Sequence, residues 1–411
     1  MCAFPEDKGK RQKRDPIAES DLRGFKYFDV LLPLLQKLSL EKYHHNRELF
    51  FDQYIALLML YFFNPIITSL RGIQQVSGLK KVQKALGVRK TSLGSLSEAG
   101  WVFDSELVKP ILQDLADKAI PLEIDPKLKA IEQTIVAVDG TLLRALPKML
   151  WALWLDADNR AAKLHLEFNI LKSVPLRAEL TNANANEKDN LRKALSRDKL
   201  YILDAGYAQY SLFGDILKAG SSFVARIRDN AVWETIEARA LSEADCKAGV
   251  LKDKVVRLGS PQCQDDIPIP VRVIEIFHRG PSSRPRLARV SSKKTFRTTD
   301  SDYTLLLVTD RMDLTAETIA LIYCYRWQIE LFFRWFKCIL GCKHLLSLSE
   351  NGVALQVYCA LIASMLITLW TGRKPTKRTF EMFCYHFMGW ADDEELSQHI
   401  EKLNENKRKS N

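Results

Sequence analysis

Residues 323–337, Tyr-Cys-Tyr-Arg-Trp-Gln-Ile-Glu-Leu-Phe-Phe-Arg-Trp-Phe-Lys, hold the densest chemistry in the chain. The stretch has no Gly or Pro, and it predicts one continuous helix. Tyr323, Arg326, Glu330 and Lys337 follow one another at steps of 3, 4 and 7. At 3.6 residues per turn they fall within an arc of roughly 60°. One face would then carry a phenol, a guanidinium, a carboxylate and an ammonium. Taken alone, this is an amphipathic helix with an i,i+4 Arg–Glu pair and a solvated face. Two other segments change that reading. Thr134-Ile-Val-Ala-Val-Asp139-Gly-Thr141 and Leu200-Tyr-Ile-Leu-Asp204-Ala-Gly-Tyr207 each read as a short apolar strand that ends on an acid and breaks at a glycine. An acid at a buried strand end is not there for packing, because carboxylates are seldom buried without a partner. Asp139, Asp204 and Glu330 therefore form a candidate three-carboxylate constellation. Hard oxygen donors of this kind suit Mg²⁺ or Mn²⁺.

In order and spacing these motifs resemble the DDE transposases of insertion-sequence-four type. Tyr323-x₂-Arg326-x₃-Glu330-x₆-Lys337 matches that family's YREK signature. Asp139-Gly-Thr141 and Asp204-x-Gly206-Tyr207 look like its first and second acid motifs. The resemblance runs from about residue 130 to 372. It implies an α/β fold with a ribonuclease H-like core, interrupted by a β-rich insertion between the second Asp and the Glu. It also implies a homodimer that holds two DNA ends together.

The chemistry expected of such a site is phosphodiester cleavage. That reaction needs a nucleophilic water at neutral pH and neutralised charge on the leaving oxygen, which two divalent ions about 3.5–4 Å apart provide. Asp139, at the end of the expected central strand, is the candidate bridge, with Asp204 and Glu330 as flanking ligands. Gly140 and Gly206 would leave room for close approach of DNA. Tyr323, Arg326 and Lys337 would grip phosphates, Arg326 by its fork and Lys337 as a point charge. The reading is a cut-and-paste transposase acting on double-stranded DNA, at the terminal inverted repeats of an insertion sequence and at target DNA. A catalytically silent transposase-derived DNA-binding protein and a host nuclease on the same core are the alternatives.

Composition is compatible with this. The chain has 411 residues, 47% hydrophobic and 27% charged, enough for two or three globular domains. Its net charge of +10 points to a polyanionic partner, nucleic acid first and a membrane surface second. The eight cysteines show no regular framework, and the first 24 residues are charged without an apolar run. The expectation is a reduced, cytoplasmic protein rather than a secreted disulfide scaffold. Cys338-x₃-Cys342-x-His344 lacks a fourth ligand and the usual zinc spacing. Residues 353–370 are apolar enough to suggest a membrane span, but Gln356, Ser364 and Thr368 interrupt the run, and a buried core helix is expected.

Residues 1–24 read as a basic arm. Residues 25–125 read as an all-α N-terminal domain, with a helix-turn-helix pattern over 68–99. There Lys80, Lys81 and Lys84 are expected on the outer side of a helix, against DNA, with Thr91 or Ser92 capping the next helix. Residues 126–227 read as the first part of the catalytic core, with strands near 134–139, 149–156, 162–171, 200–204 and 222–227 and helices near 186–197 and 210–219. Residues 228–300 read as the β-rich insertion, with strands at 254–258 and 271–277. From Arg279 to Arg297 it carries seven Lys/Arg and no acid, a candidate DNA clamp on an exposed loop. Trp233 and Tyr303 are the insertion's candidate base-stacking aromatics, matched to no pattern. Residues 301–385 read as the second part of the core, opening with a strand at 303–309 and a helix capped by Thr315; 386–411 read as a charged tail.

Overall fold

Among the described residues between 134 and 309, runs of β-branched and aliphatic residues form nine strands: β1 Thr134–Arg144, β2 Ala161–Asn169, β3 Val174–Asn182, β4 Lys199–Leu203, β5 Ser222–Ile227, β6 Trp233–Ala238, β7 Val250–Leu258, β8 Val271–His278 and β9 Tyr303–Thr309. The computed structural model describes residues 17–39, 48–122, 125–144, 148–152, 160–260, 266–278, 303–341 and 345–408. They gather into two compact units, one of Val108–Cys338 with Ser364–Lys374, the other of Met1–Leu107, Ile339–Ala363 and Pro375–Asn411.

The first unit is α/β. Its strands join in the order β3-β2-β1-β4-β5-β9-β8-β7-β6. β1, β2 and β3 are antiparallel neighbours. β4 lies parallel to β1, and β5 parallel to β4. Parallel neighbours need crossover connections, and helices Glu187–Ala194 and Tyr210–Lys218 supply them. Leu191, Leu212, Phe213 and Ile216 of those helices pack on Val136, Val138, Tyr201, Leu203, Phe223 and Ala225. Phe213 stacks on Phe223 with ring centroids 4.6 Å apart. One face of the sheet is thereby closed.

The strands of residues 228–300 are not a separate layer. β8 pairs with β9, and β7 and β6 follow outward, so they prolong the same sheet. Inside this extension Arg272 is 1% exposed and forms a two-pronged pair with Asp253, at 3.2 and 2.6 Å. Its remaining nitrogen donates to the carbonyls of Arg311 and Leu314, which tethers the turn ahead of helix Ala316–Cys324.

Three strand expectations need correction. β1 does not stop at Asp139 but runs to Arg144, because β2 keeps pairing with it through Gly140 and beyond. The strand expected at 149–156 is absent from residues 148–152, which form turns; 153–159 lie outside the described residues. Lys163-Leu-His-Leu-Glu-Phe-Asn alternates in sequence, yet β2 is buried at nearly every position, since it is an interior strand covered on both faces. β3 and β6 had no strand expectation at all. The 279–297 stretch and Cys342 and His344 also lie outside the described residues, as does the Cys338 side chain.

The second unit is helical in its described residues. Helix Phe51–Phe63 is buried at every position but Asp52, so it is a core helix without a polar face. Phe63 stacks on Phe387 at 5.1 Å. Three short helices follow: Leu70–Ser77, Lys80–Leu86 and Leu93–Val102. Gly87, at φ +67°, makes the left-handed break after the second. Ser92 caps the third by accepting the Ser95 N–H at 3.0 Å. Helix Glu350–Thr371 is long and apolar enough to cross a membrane, yet 94% of its apolar window is buried inside the protein.

Candidate active site

The first two acids are set by strand register. β1 and β4 pair in parallel as far as Ala137 opposite Ile202. Asp139 and Asp204 each lie two residues further on. Side chains alternate along a strand, so both acids share the face of Ala137 and Ile202. Val136, Val138, Tyr201 and Leu203 occupy the other face, under the crossover helices. Neighbouring strands are about 4.8 Å apart, so both acids lie just past the paired stretch, on one face of adjacent strands. Both are half-buried.

Helix Trp327–Gly341 covers that same face. Its Phe332 packs on Phe168 at 5.0 Å, and Phe168 is the strand partner of Ala137. Gln328 accepts the Ser173 hydroxyl at 3.2 Å, tying the helix to the β2–β3 turn. Glu330 is thus on the side of Asp139 and Asp204, half-buried.

The signature stretch is not the single helix its sequence predicts. Helix Ala316–Cys324 ends, Tyr325 and Arg326 form a turn, and helix Trp327–Gly341 begins. Across the junction the bonds tighten to i→i−3: Arg326 N–H to the Tyr323 carbonyl at 3.0 Å, Gln328 to Tyr325 at 3.0 Å and Ile329 to Arg326 at 3.2 Å. Side chains three apart eclipse in such a turn. The Arg326 guanidinium accordingly stands over the Tyr323 ring, 5.7 Å from its centroid.

These residues form a connected polar group. Tyr323 donates to Asp204 Oδ1 at 3.3 Å. Arg326 pairs with Glu330 at 2.7 Å. Burial alone would lower the Arg326 guanidinium, but Tyr323, Asp204 and Glu330 outweigh it and hold it raised. Burial pushes the Tyr323 phenol up to about 12, so it serves as a donor at neutral pH. Burial also raises the Asp139 carboxyl to about 6; the Gly140 N–H and Arg326 pull it down, while Glu187 and Glu330 push it up. Lys337 lies exposed on helix Trp327–Gly341.

The donors are carboxylate oxygens, which is the chemistry a hard divalent ion takes. As they stand, no three His, Cys, Asp or Glu side chains among the described residues are grouped closely enough to hold one. A cation is nevertheless present, since Arg326 acts on all three acids.

Sequence reading missed a fourth acid. Glu187 begins the first crossover helix and leans on Gly140, where a Cβ would stand 2.9 Å from its Oε1. Lys163 holds the same oxygen at 3.2 Å. His165 is the strand partner of Gly140, and burial lowers it to about 4, so it is neutral. The signal available was Gly140 itself, since an absent side chain in a strand implies close approach by another group.

In the helical unit, Lys80 and Lys84 are exposed. Lys81 is not on the outer side as expected. Its ammonium donates to the carbonyls of Glu19 at 3.1 Å and Leu22 at 2.6 Å, and its backbone N–H donates to the Glu19 carboxylate. Three free carbonyl and carboxylate acceptors next to the helix start draw it inward.

A family model described as a transposase DDE domain matches residues 131–366, more than half of the chain. The chain is 31% identical over 212 residues to a Sinorhizobium fredii protein named as a transposase, y4zB, covering 51% of this chain and 53% of that protein. It is 24% identical over 259 residues to a Geobacillus stearothermophilus protein named as the transposase for insertion sequence element IS5377, covering 63% of this chain and 60% of that one. The matched part thus spans between half and two thirds of these relatives' length. Among solved structures, a piggyBac transposase synaptic complex with hairpin DNA matches at 10% identity and a TM-score of 0.38, over 92% of this chain and 84% of that one. That likeness is too slight to argue from.

Proposed function

The chain belongs to the DDE transposase domain family, and from that premise we propose that it catalyses cut-and-paste transposition of an insertion sequence. It would bind the terminal inverted repeats, hydrolyse a phosphodiester at each end and join the freed 3′-OH to target DNA. The observation that carries the reading is the register of β1 against β4 beneath helix Trp327–Gly341. It brings an acid from each strand to one face and the Glu330 helix over that face. We read β1 to β5 and their crossover helices as a ribonuclease H-like core, and the helical residues 25–125 as a DNA-binding domain of insertion-sequence-four type.

Asp139, Asp204 and Glu330 would hold Mg²⁺ or Mn²⁺, two ions in the working complex. When bound, these ions supply a nucleophile at neutral pH and neutralise charge on the leaving oxygen. The remaining work falls to this chain's own groups. Tyr323, protonated and bonded to Asp204, orients that carboxylate. Lys337, exposed on the Glu330 helix, offers a point charge to a phosphate. Arg326 offers a fork once it leaves Glu330. Two ends must be held at once, so the active form would be a homodimer on DNA, working in the bacterial cytoplasm.

The test is cleavage of a duplex that ends in the element's own terminal repeat. Asp139→Asn, Asp204→Asn and Glu330→Gln should each abolish Mg²⁺-dependent cleavage while leaving DNA binding intact, because the carboxylates act as a unit. Cleavage persisting in Glu330→Gln would sink the reading. Cleavage without strand transfer would favour a nuclease instead.

A further inference from the structure

We propose that Arg326 is the resident counter-cation of the acid group: its guanidinium stands in for a divalent ion until one enters, and entry releases it to a DNA phosphate. The inference rests on the proposed function, since it takes Asp139, Asp204 and Glu330 to be the ion's ligands.

Four observations carry it. Arg326 is bound to Glu330 at 2.7 Å, with the two side chains 16% and 27% exposed, so the pair is largely withdrawn from water. The guanidinium is stacked on Tyr323, whose hydroxyl reaches Asp204. Its charge acts on Asp139 and Asp204 as well as on Glu330. Its Nε is buried and has no hydrogen-bond partner. A guanidinium placed to bind phosphate would have its fork open, whereas this one is turned into the acids.

The charge balance gives the physical reason. Glu330 repels the Asp139 carboxylate, and the Arg326 guanidinium offsets part of that. A divalent ion offsets more and draws on the same Glu330 oxygens. Ion and guanidinium therefore compete for one partner. The released arginine keeps its charge and its long side chain, and the nearest new anion is the phosphate of a bound DNA. No hydrogen bond is given up at Nε when it leaves. Ion binding and phosphate binding then become linked, each strengthening the other by the same factor.

The experiment uses the full chain with Mn²⁺ as the binding probe and Ca²⁺ as the ion for the DNA measurements. Arg326→Gln should bind Mn²⁺ about five- to tenfold more tightly than wild type, because a competing pair has been removed. In EDTA its melting midpoint should fall below that of wild type, and Mn²⁺ should restore it. Arg326→Lys should lie between the two. In wild type, Ca²⁺ should raise the affinity for a duplex carrying the terminal repeat, and Arg326→Gln should lose most of that gain. Unchanged or weaker Mn²⁺ binding in a folded Arg326→Gln, with Glu330→Gln losing the ion, would overturn the exchange and leave the acid site standing. A full Ca²⁺-dependent gain in DNA affinity in Arg326→Gln would overturn the transfer to phosphate. Absence of Mn²⁺ binding from wild type and variant alike would overturn the acid site and the exchange with it.

Discussion

Replacing Asp139 by Asn should make the ion-free protein more stable while removing its activity. Burial lifts the Asp139 carboxyl from an ordinary 3.8 to about 6. A shift of about 2 pH units corresponds to about 3 kcal/mol, an upper value here because the residue keeps some exposure to water. Between 3.8 and 6 the folded chain holds the Asp139 proton more tightly than the unfolded chain does. Stability therefore falls as pH rises through that window, and the deficit is complete above it. Asn removes the charge and keeps an oxygen for the Gly140 N–H, now bonded at 2.8 Å. Near pH 7.5 in EDTA, the variant should be more stable by about 1–3 kcal/mol, seen as a higher melting midpoint. Near pH 3.5, just below the ordinary 3.8, Asp139 is mostly protonated in both states and the gain should shrink to a small fraction. Mn²⁺ should stabilise wild type and not the variant, which reverses their order. A variant melting at or below wild type in EDTA near pH 7.5 would refute the argument, and so would an equal gain at both pH values.

Gly140→Ala puts a Cβ 2.9 Å from Glu187 Oε1, so it should displace Glu187 and weaken Mn²⁺ binding, measurable by calorimetry. Lys337→Ala should reduce end cleavage without changing the melting midpoint, because Lys337 is exposed and two turns from Glu330. Lys80→Ala with Lys84→Ala should lower the slope of log K against log salt for DNA by about 1.8 if both touch phosphates. Lys81→Ala should instead lower thermal stability, since its ammonium is spent on the carbonyls of Glu19 and Leu22. Arg272→Met should destabilise the fold by about 3–5 kcal/mol by leaving buried Asp253 with only the longer Arg239 contact at 3.9 Å, read by urea denaturation.

Much of the candidate site is legible in the chain itself because its parts are local. A run such as Ile135-Val-Ala-Val ending in Asp139 and Gly140 declares a strand, an acid and a close approach within six residues. The same grammar recurs at Asp204. Ser92 announces its own helix start, and Tyr323, Arg326, Glu330 and Lys337 stand at countable steps. Alternation along a strand even states which neighbours share a face with each acid, provided the strand is recognised.

What the chain could not state locally was decided by packing between distant segments. β1 meets β4 across more than sixty residues, and only their pairing brings Asp139 and Asp204 to one face of adjacent strands. β1 outlasts its glycine because β2 is there to pair with it. The signature stretch has unbroken helical character, yet it turns at Tyr325 and Arg326, and that turn rather than the 3.6-residue period stacks Arg326 on Tyr323. Glu187 reaches Gly140, and Lys81 reaches the carbonyls of Glu19 and Leu22, for the same kind of reason. Side-chain type and spacing follow from local sequence, but a charge goes to its best partner, and that partner is chosen by which surfaces the folded core brings within a few ångströms.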